Sequence, residues 1–355
     1  LKEFNLNLLP TSLTINSDIN RQFNSQKFRD ADLGANNLVI DELIRRNYTF
    51  DLQYTVNYQL SNALSLNFTS SNNHIVRNYF INNDLNGDQD PELDIWNRFF
   101  DFGDPNRHTQ QLGINYALPI NKIPTFDFIT ANYSYTGDFQ WNKGSDLFGQ
   151  LNVNGQTHNL GNSISNANQH NFNSSFDMRK LYRYLGIKKS RSKQSSRSGL
   201  NTSNNKTQRR NSKTKFKIKN IWTGLLTSIN RMQLNYAENN SSFLPGYLPT
   251  PGAIGTIQPT LGYTLGSQRD VRYIAAQNGW LTTFDQFNQQ YTEAHNENLD
   301  YAINTELIQD LKIDFTGGKT YATNFTENFN TIDTNGDGLS NSYNSLIQNT
   351  FGNFN

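Results

Sequence analysis

Apolar and polar residues alternate without a break from Tyr48 to Leu60, and the alternation resumes over residues 64–69. A β-strand sends successive side chains to opposite faces of its sheet, so each run predicts a strand with one apolar and one polar face. Residues 61–63 separate the two runs and are long enough only for a tight turn. The pattern therefore predicts a long hairpin with one aromatic-rich face and one polar, mostly uncharged face.

The same period of two predicts about eleven strands along the whole chain. One strand precedes Pro10 and a last strand begins near residue 350. The others lie near residues 11–28, 48–60, 64–79, 112–118, 129–141, 172–185, 216–236, 299–307 and 311 onward. A phase change within residues 216–236 indicates a β-bulge.

The connections between these strands alternate in length. Short turns are predicted at residues 9–10, 61–63, 119–124 and 309–310. Long connections are predicted at residues 29–47, 80–108, 142–169, 238–298 and 331–350. Barrels of outer membranes have short periplasmic turns and longer loops outside, so this order predicts that topology. The basic stretch at residues 186–215 is the exception, because it is long and falls on the short-turn side.

The connection at residues 238–298 contains two local patterns. Leu261, Tyr263 and Leu265 alternate like a short strand. Aromatic residues at helix-like spacing then predict a short amphipathic helix, and they are Trp280, Phe284, Phe287 and Tyr291. We expect this connection to be an extracellular loop or a loop that lines the pore.

The composition separates this chain from ordinary soluble domains. Hydrophobic residues are 35%, against roughly 45–50% in soluble domains, and charged residues are 17%. Aromatic residues reach 13%, which argues against disorder. The sequence contains no run of about 18 apolar residues, so it predicts no transmembrane helix. It also contains no Cys, which excludes disulfides and thiolate metal sites. These features favour an all-β protein, an antiparallel transmembrane β-barrel with a lipid face and a polar lumen face.

Strand length bears on the alternative folds. Strands of soluble proteins usually run about 5–6 residues, whereas several runs here are about twice as long, which argues against a soluble sandwich or repeat array. They also exceed the roughly 9–11 residues that span a bilayer, so we expect the barrel to project beyond the membrane. The chain begins at Leu1 and ends at Asn355 in mid-pattern. We therefore expect residues 1–355 to be an internal segment of one larger barrel.

Three stretches together resemble one known family. They are residues 9–13 leading into Asn20-Arg21, residues 48–60 with their turn, and residues 349–355. Across essentially its whole length, the chain is similar to the C-terminal part of the SprA/Sov family. These proteins are the outer-membrane translocons of the Bacteroidetes type IX secretion and gliding-motility system.

The resemblance implies a very large single-chain barrel in the cell outer membrane, through which folded secreted and cell-surface proteins leave the cell. It also implies a lateral opening, a plug protein at the periplasmic mouth and a PorV-type shuttle protein that collects cargo. The family offers no catalytic residues and requires no cofactor, so we expect no enzyme activity. Two alternatives stay open: an outer-membrane receptor or porin-type transporter for a smaller ligand, and a soluble adhesin or carbohydrate enzyme.

Two stretches share a D-x-N-G-D sequence that is typical of calcium loops. Their oxygen ligands at alternate positions are those that Ca²⁺ prefers. The candidate ligands are Asp84, Asn86, Asp88 and Asp90 in the first stretch, and Asp333, Asn335 and Asp337 in the second. Position twelve, a bidentate Glu in an EF-hand, is Ile95 in the first and Asn344 in the second. The alternative is that Asp, Asn and Gly simply form turns.

The basic stretch at residues 186–215 has the charge of a nucleic-acid patch but lacks its aromatic residues. We therefore expect no nucleic-acid partner. Its Ser and Asn content predicts a disordered, solvated periplasmic loop. A contact with anionic outer-membrane lipid or an acidic partner is the alternative.

Aromatic residues suggest two further placements. Several of them occur at strand spacing, and we expect these to face lipid or form interfacial girdles. They are Tyr133, Tyr135, Phe139, Trp141 and Trp222. Residues 243–251 are apolar and Pro-rich, and we expect them to fold inward and narrow or line the pore.

Overall fold

The computed structural model describes residues 6–27, 43–76, 102–145, 151–153, 155–187, 227–308 and 311–355. Most of these residues are in β-strands. The strands are β1 (Ser12–Gln26), β2 (Leu43–Ser61), β3 (Leu64–Ile75), β4 (Asp104–Leu118), β5 (Ile129–Asn142), β6 (Leu151–Val153), β7 (Gln156–His158), β8 (Asn162–Asp177), β9 (Ile229–Tyr247), β10 (Tyr291–Ile308), β11 (Leu311–Ile332) and β12 (Ser342–Phe354). The helices are α1 (Met178–Tyr184), α2 (Leu261–Thr264) and α3 (Arg272–Gln277), with a 3₁₀ turn at Pro119–Lys122.

Ten strands form one antiparallel sheet in the order β1-β2-β3-β4-β5-β8-β9-β10-β11-β12. The remaining two, β6 and β7, pair as a small separate hairpin. The predicted antiparallel β-sheet is therefore confirmed, and the described part of the chain is mostly β but also contains three short helices. Among the described residues the sheet is not closed into a barrel, and β1 and β12 are its two edges.

The predicted hairpins are present in the expected register. Val56 pairs with Phe68 in the β2–β3 hairpin, and Ile303 pairs with Phe315 in the β10–β11 hairpin. Each strand pairs with its neighbour in sequence, apart from the inserted β6–β7 hairpin, so successive connections fall on alternate ends of the sheet. The short connections and the long β8–β9 connection lie at one end, and the other long connections lie at the opposite end. We call these the turn end, which holds residues 62–63 and 119–128, and the loop end, which holds residues 248–290 and 333–341.

Three predicted connections are shorter than expected, because strands extend into them. β8 already begins at Asn162, which corrects the loop predicted at residues 142–169. β9 continues to Tyr247 and β10 begins at Tyr291, so the loop predicted at residues 238–298 is reduced to residues 248–290. These added strand residues are mostly polar on both faces, and their few apolar members do not alternate regularly, so the period of two could not detect them. The loop predicted at residues 331–350 likewise ends where β12 begins at Ser342.

Helices replace two predicted strand segments. The strand predicted to reach residue 185 ends at Asp177, whose side chain accepts a hydrogen bond from the Arg179 N–H and caps α1. The alternating piece at residues 261–265 is mostly α2. The helix predicted from Trp280 is not formed, and the nearby helix is α3 instead.

Several predicted connections fall mainly outside the described residues. They are the loops at residues 29–47 and 80–108, the basic stretch at residues 186–215, and the first part of the strand predicted at residues 216–236. Met232 to Tyr236, in the second part of that strand, lie in β9 as expected.

The largest buried core lies between the sheet and the β9–β10 connection. We call this connection, residues 248–290, the strap. Its buried apolar residues are Tyr263, Val271, Ala275, Ala276 and Leu281. The sheet residues packed in the same cluster are Phe139, Trp141, Ile164, Leu244, Tyr247, Tyr291 and Phe329.

Candidate functional site

The sheet has two chemically different faces. The strand register joins residues of like chemistry into rows across the strands. One face, the aromatic face, carries rows such as Val56–Phe68–Leu112. The opposite face, the polar face, carries rows such as Thr55–Thr69–Gln111. The apolar and polar positions that alternate along each strand are therefore aligned between neighbouring strands, so that each face keeps its own character.

The residues that line one groove indicate that the polar face is the inside of a curled sheet. A groove of about 620 Å³ is lined mainly by this face. Its lining includes Gln53 of β2 and Thr292 of β10, six strand spacings apart in the sheet. In a flat sheet these strands would lie roughly 29 Å apart. A single groove of this size lined by both strands indicates that the sheet curls with the polar face concave.

The groove is polar and nearly uncharged. Its polar-face lining residues are Gln53, Thr69, Ser71, Thr109, Gln111, Asp138, Gln140, Ser165, Ser241 and Thr292, together with the apolar Ala167 and Phe243. The carboxylate of Asp138 accepts a hydrogen bond from Gln111 Nε2 at 2.7 Å. A second cavity of about 370 Å³ continues along the turn-end part of the same face, past Ser65, Asn115 and Asn132. The concave surface therefore offers many weak hydrogen-bonding groups.

The convex, aromatic face carries an apolar band at the turn end, and on β8, β9 and β10 this band is bounded by His170, Glu238 and Glu297. Its members include Val56, Tyr58, Leu64, Leu66, Phe68, Leu112, Ile114, Tyr116, Leu118, Tyr133, Phe172, Phe176, Met232, Leu234, Leu299, Tyr301, Ile303 and Phe315. Tyr301 and Phe315 remain about half exposed. A soluble curled sheet would turn such residues inward, whereas this sheet presents them on its outer side.

At the loop end, the same aromatic face is covered by the strap. The strap is irregular, so many of its backbone carbonyls lack partners from regular structure and require other donors. Side chains of the sheet supply these donors. Asn166 Nδ2 donates to the carbonyls of Tyr263 at 3.0 Å and Ser267 at 2.7 Å, and Asn168 Nδ2 donates to that of Gly266 at 2.7 Å.

Further donors follow along the strands. Trp141 Nε1 donates to the carbonyl of Pro249 at 2.9 Å, and the hydroxyl of Tyr135 donates to that of Leu265 at 2.7 Å. These bonds fix the strap against β5 and β8. Polar and aromatic side chains of the sheet thus act as a docking surface for the strap backbone.

The closest approach of strap and sheet occurs at Gly137 of β5. A Cβ at this position would collide with the Leu265 carbonyl oxygen. The reciprocal glycine, Gly266, has a positive φ of 98°, and a Cβ there would lie 2.6 Å from the Gly137 Cα. Glycine at both positions is therefore required for this backbone contact.

A buried ion pair anchors the other part of the strap. Arg272 Nη1 lies 2.7 Å from Glu327 Oε2 of β11, and the two side chains are 7% and 2% exposed. Asp270 adds a second contact at 2.8 Å, and the guanidinium lies 4.0 Å from the centre of the Tyr291 ring. Burial opposes the charge, but hydrogen bonds to Asp270 and Glu327 outweigh it and raise the pKa of Arg272.

The strap changes the expected position of several aromatic residues. Phe139 and Trp141 were expected at a lipid surface, but both are buried beneath the strap. Tyr133 lies in the apolar band, and Trp222 falls outside the described residues. Within residues 243–251, Leu244 and Tyr247 pack into the strap core on the convex side. Phe243 alone of these lines the groove, so the segment does not fold inward to narrow it.

The second predicted calcium loop forms a compact turn at the loop end. The Asp333 carboxylate accepts hydrogen bonds from the N–H groups of Asn335 at 3.0 Å, Gly336 at 2.7 Å and Gly338 at 2.7 Å. The Gly338 N–H, followed by those of Gly336 and Asn335, lowers the pKa of this exposed carboxyl. The geometry is that of an Asx-type turn, and calcium binding there stays a prediction.

The first predicted loop, with Asp84, Asn86, Asp88 and Asp90, lies outside the described residues. Within the part of the chain that is described, no group of three or more His, Cys, Asp and Glu side chains could hold a metal ion. Asp333 and Asp337 are therefore not joined by a third such side chain.

No protein-family model matches the chain, and no curated protein matches it. Among the described helices, none is both long and apolar enough to cross a membrane.

Proposed function

We propose that this chain forms part of the wall of a transmembrane β-barrel that conducts proteins across the outer membrane. The observation that carries the proposal is the inverted polarity of the curled sheet. Its concave face is lined mainly by Ser, Thr, Asn and Gln, and its convex face carries the partly exposed apolar band. This arrangement suits lipid outside and water inside, as in outer-membrane barrels.

The dimensions support the same proposal. The band covers Leu112 to Leu118 on β4, which is six rises or about 20 Å measured along the strand. Outer-membrane barrels have an apolar band about 25 Å tall. The ten sheet strands have 12 to 22 residues, more than a bilayer requires, and the excess lies at the loop end under the strap.

A wide conduit fits the open sheet better than a narrow pore does. Among the described residues the ten strands leave edges at β1 and β12, and in a membrane such edges must be paired because lipid cannot satisfy backbone groups. A barrel of more strands is wider, and a weakly charged wall does not retain a passing chain. We propose secreted protein as cargo, with a PorV-type shuttle and a periplasmic plug protein as partners, and no catalysis.

Site-specific cross-linking in cells tests the conduit. A photo-reactive amino acid replaces Gln111 in the groove, in the complete protein, while a secreted protein is being exported. We expect an adduct with that cargo, and none from the matched position Leu112 on the opposite face. Export that continues after depletion of the protein, or equal adducts from both positions, would contradict the proposal.

A further inference from the structure

The strap consists of two parts that differ in charge. Residues 248–268 contain no Asp, Glu, Lys or Arg, whereas residues 269–290 contain four such side chains, Arg269, Asp270, Arg272 and Asp285. The charged part is anchored over β11 by the Arg272–Glu327 ion pair. The uncharged part extends in the other direction, across β5 and β4 to β2.

The backbone of the uncharged part is held over β2, β3 and β4 by three side chains. The Tyr54 hydroxyl donates to the Ile254 carbonyl at 2.6 Å. Asn72 Nδ2 donates to the carbonyl of Ala253 at 3.0 Å, and Gln110 Nε2 donates to that of Thr256 at 3.1 Å. The carbonyls of this part therefore point at the sheet.

Three of its large apolar side chains point away from the sheet, whereas Tyr263 packs against it. Ile254 is 74% exposed, Ile257 is 69% exposed and Leu261 is 59% exposed. Large apolar side chains that cluster on an uncharged surface commonly mark a binding surface. These three lie on the convex side of the sheet, the side that carries the apolar band.

The uncharged part also lies next to the band. Tyr54, which holds Ile254, is followed on the aromatic face by Val56, whose row with Phe68 and Leu112 begins the band. Under the charged part the sheet is different, because the same row continues as Asn240 and His295. Exposed apolar side chains of the strap and the apolar band therefore form one surface only over β2 to β5.

We propose that residues 248–268 form an interfacial lipid contact, in which Ile254, Ile257 and Leu261 insert into the outer leaflet. The inference rests on the proposed function, which places the apolar band in the bilayer. Amphipathic elements that lie in the interface bury their apolar side chains at the boundary of headgroups and acyl chains. The charged part of the strap remains in water above the membrane.

Single cysteines test the contact, because the chain contains no Cys of its own. An environment-sensitive fluorophore is attached to Ile254→Cys or Ile257→Cys in the complete protein in lipid vesicles. Quenching is compared between nitroxide-labelled phospholipids and a water-soluble quencher. Gln277→Cys, exposed in the charged part, is the matched control, and Leu66→Cys reports the band itself. Each variant must retain the protease resistance of the unmodified strap.

We expect lipid quenching at Ile254→Cys, Ile257→Cys and Leu66→Cys, and aqueous quenching at Gln277→Cys. If Leu66→Cys is quenched by lipid but Ile257→Cys by the aqueous reagent, the lipid contact is wrong while the barrel orientation survives. Shielding of Ile257→Cys from both quenchers indicates a protein partner and also overturns the inference. Failure of lipid to quench Leu66→Cys overturns the proposed function, and the inference with it.

Discussion

The two ends of the aromatic face differ in the side chains they present and in what covers them. At the turn end, the convex surface is apolar and its side chains are partly exposed, with Phe315 about half exposed. At the loop end, the same strands carry Asn166, Asn168 and Glu327, all of which are buried. The first half offers apolar side chains to a surrounding medium, and the second offers hydrogen bonds to the strap.

This difference shows that the polarity of a covered surface depends on what covers it. Lipid supplies no hydrogen bonds, so a surface facing it must be apolar. An irregular protein segment brings unpaired carbonyls, so the surface beneath it needs donors such as the amide of Asn166. The polar loop-end rows are thus explained by the strap rather than by exposure to water.

The largest expected effect comes from Arg272→Leu, which leaves Glu327 buried without its cation. Breaking a buried pair costs about 3–5 kcal/mol, so the local opening free energy of the strap falls by that amount. Hydrogen exchange of strap amides in the complete protein measures it. Arg269→Leu, which removes an exposed charge nearby, has little effect. Equal effects of the two variants would show that Arg272 is not an anchor, and the double variant with Glu327→Leu recovers most of the loss.

The apolar band is tested by placing one charge on each face of β3. Leu66→Arg puts a cation in the band and costs about 2–4 kcal/mol of folding into vesicles. Ser65→Arg, one residue away on the polar face, costs far less because its side chain reaches the aqueous groove. Urea titration of membrane folding measures both. Comparable losses would mean that the faces do not separate lipid from water.

A bulky residue at Gly137 tests the contact between the strap and the sheet without changing the apolar band. Gly137→Val forces the strap away from β5 at the Leu265 carbonyl, at a cost of about 1–3 kcal/mol. Gly113→Val on β4 is the matched control, since the nearest atom to its new Cβ is 3.8 Å away. Limited proteolysis within residues 248–290 detects the change. Unaltered protection in Gly137→Val would contradict the close backbone contact.

The smallest effect is expected at the loop beyond β11. The pKa of Asp333 is lowered in the folded loop, so its contribution is present above the unfolded value of about 3.9 and is lost as the pH falls through the lower folded value. Amide exchange at Gly336 and Gly338 should therefore rise in acid, and Asp333→Asn should raise it at neutral pH. Ca²⁺ that binds the loop would slow exchange, and no response in exchange or heat would end the calcium prediction.

The period of two predicted the strands wherever one face is apolar. β2, β3 and the β10–β11 hairpin were predicted because residues such as Val56 and Phe315 alternate with polar ones. The prediction was wrong at Asn162–Gln169 and Glu238–Ser242, where the aromatic face turns polar beneath the strap. The signal that was missed is an Asn-rich run, in which Asn166 and Asn168 sit two positions apart, as donors on one face would.

The strap itself was harder to predict. Its partners lie on strands distant in sequence, so no local pattern pairs Arg272 with Glu327 or brings Gly266 to Gly137. Helix-like spacing from Trp280 placed the helix too late, because those aromatic residues pack around the strap core rather than on one face of a helix. Long-range burial, rather than propensity, determines the structure there.

The large sequence separation of the strap contacts also predicts when the strap docks during folding. The β2–β3 hairpin joins residues only 3 to 26 positions apart, from Ser61↔Leu64 to Thr49↔Ile75. The contact of Tyr54 with Ile254 spans 200 positions, and the neighbouring contacts of Asn72 and Gln110 lie on β3 and β4. Because distant contacts close slowly, we expect the strap to dock after the strands beneath it have paired. Amide protection at residues 253–256 should therefore appear later than protection in the β2–β3 hairpin.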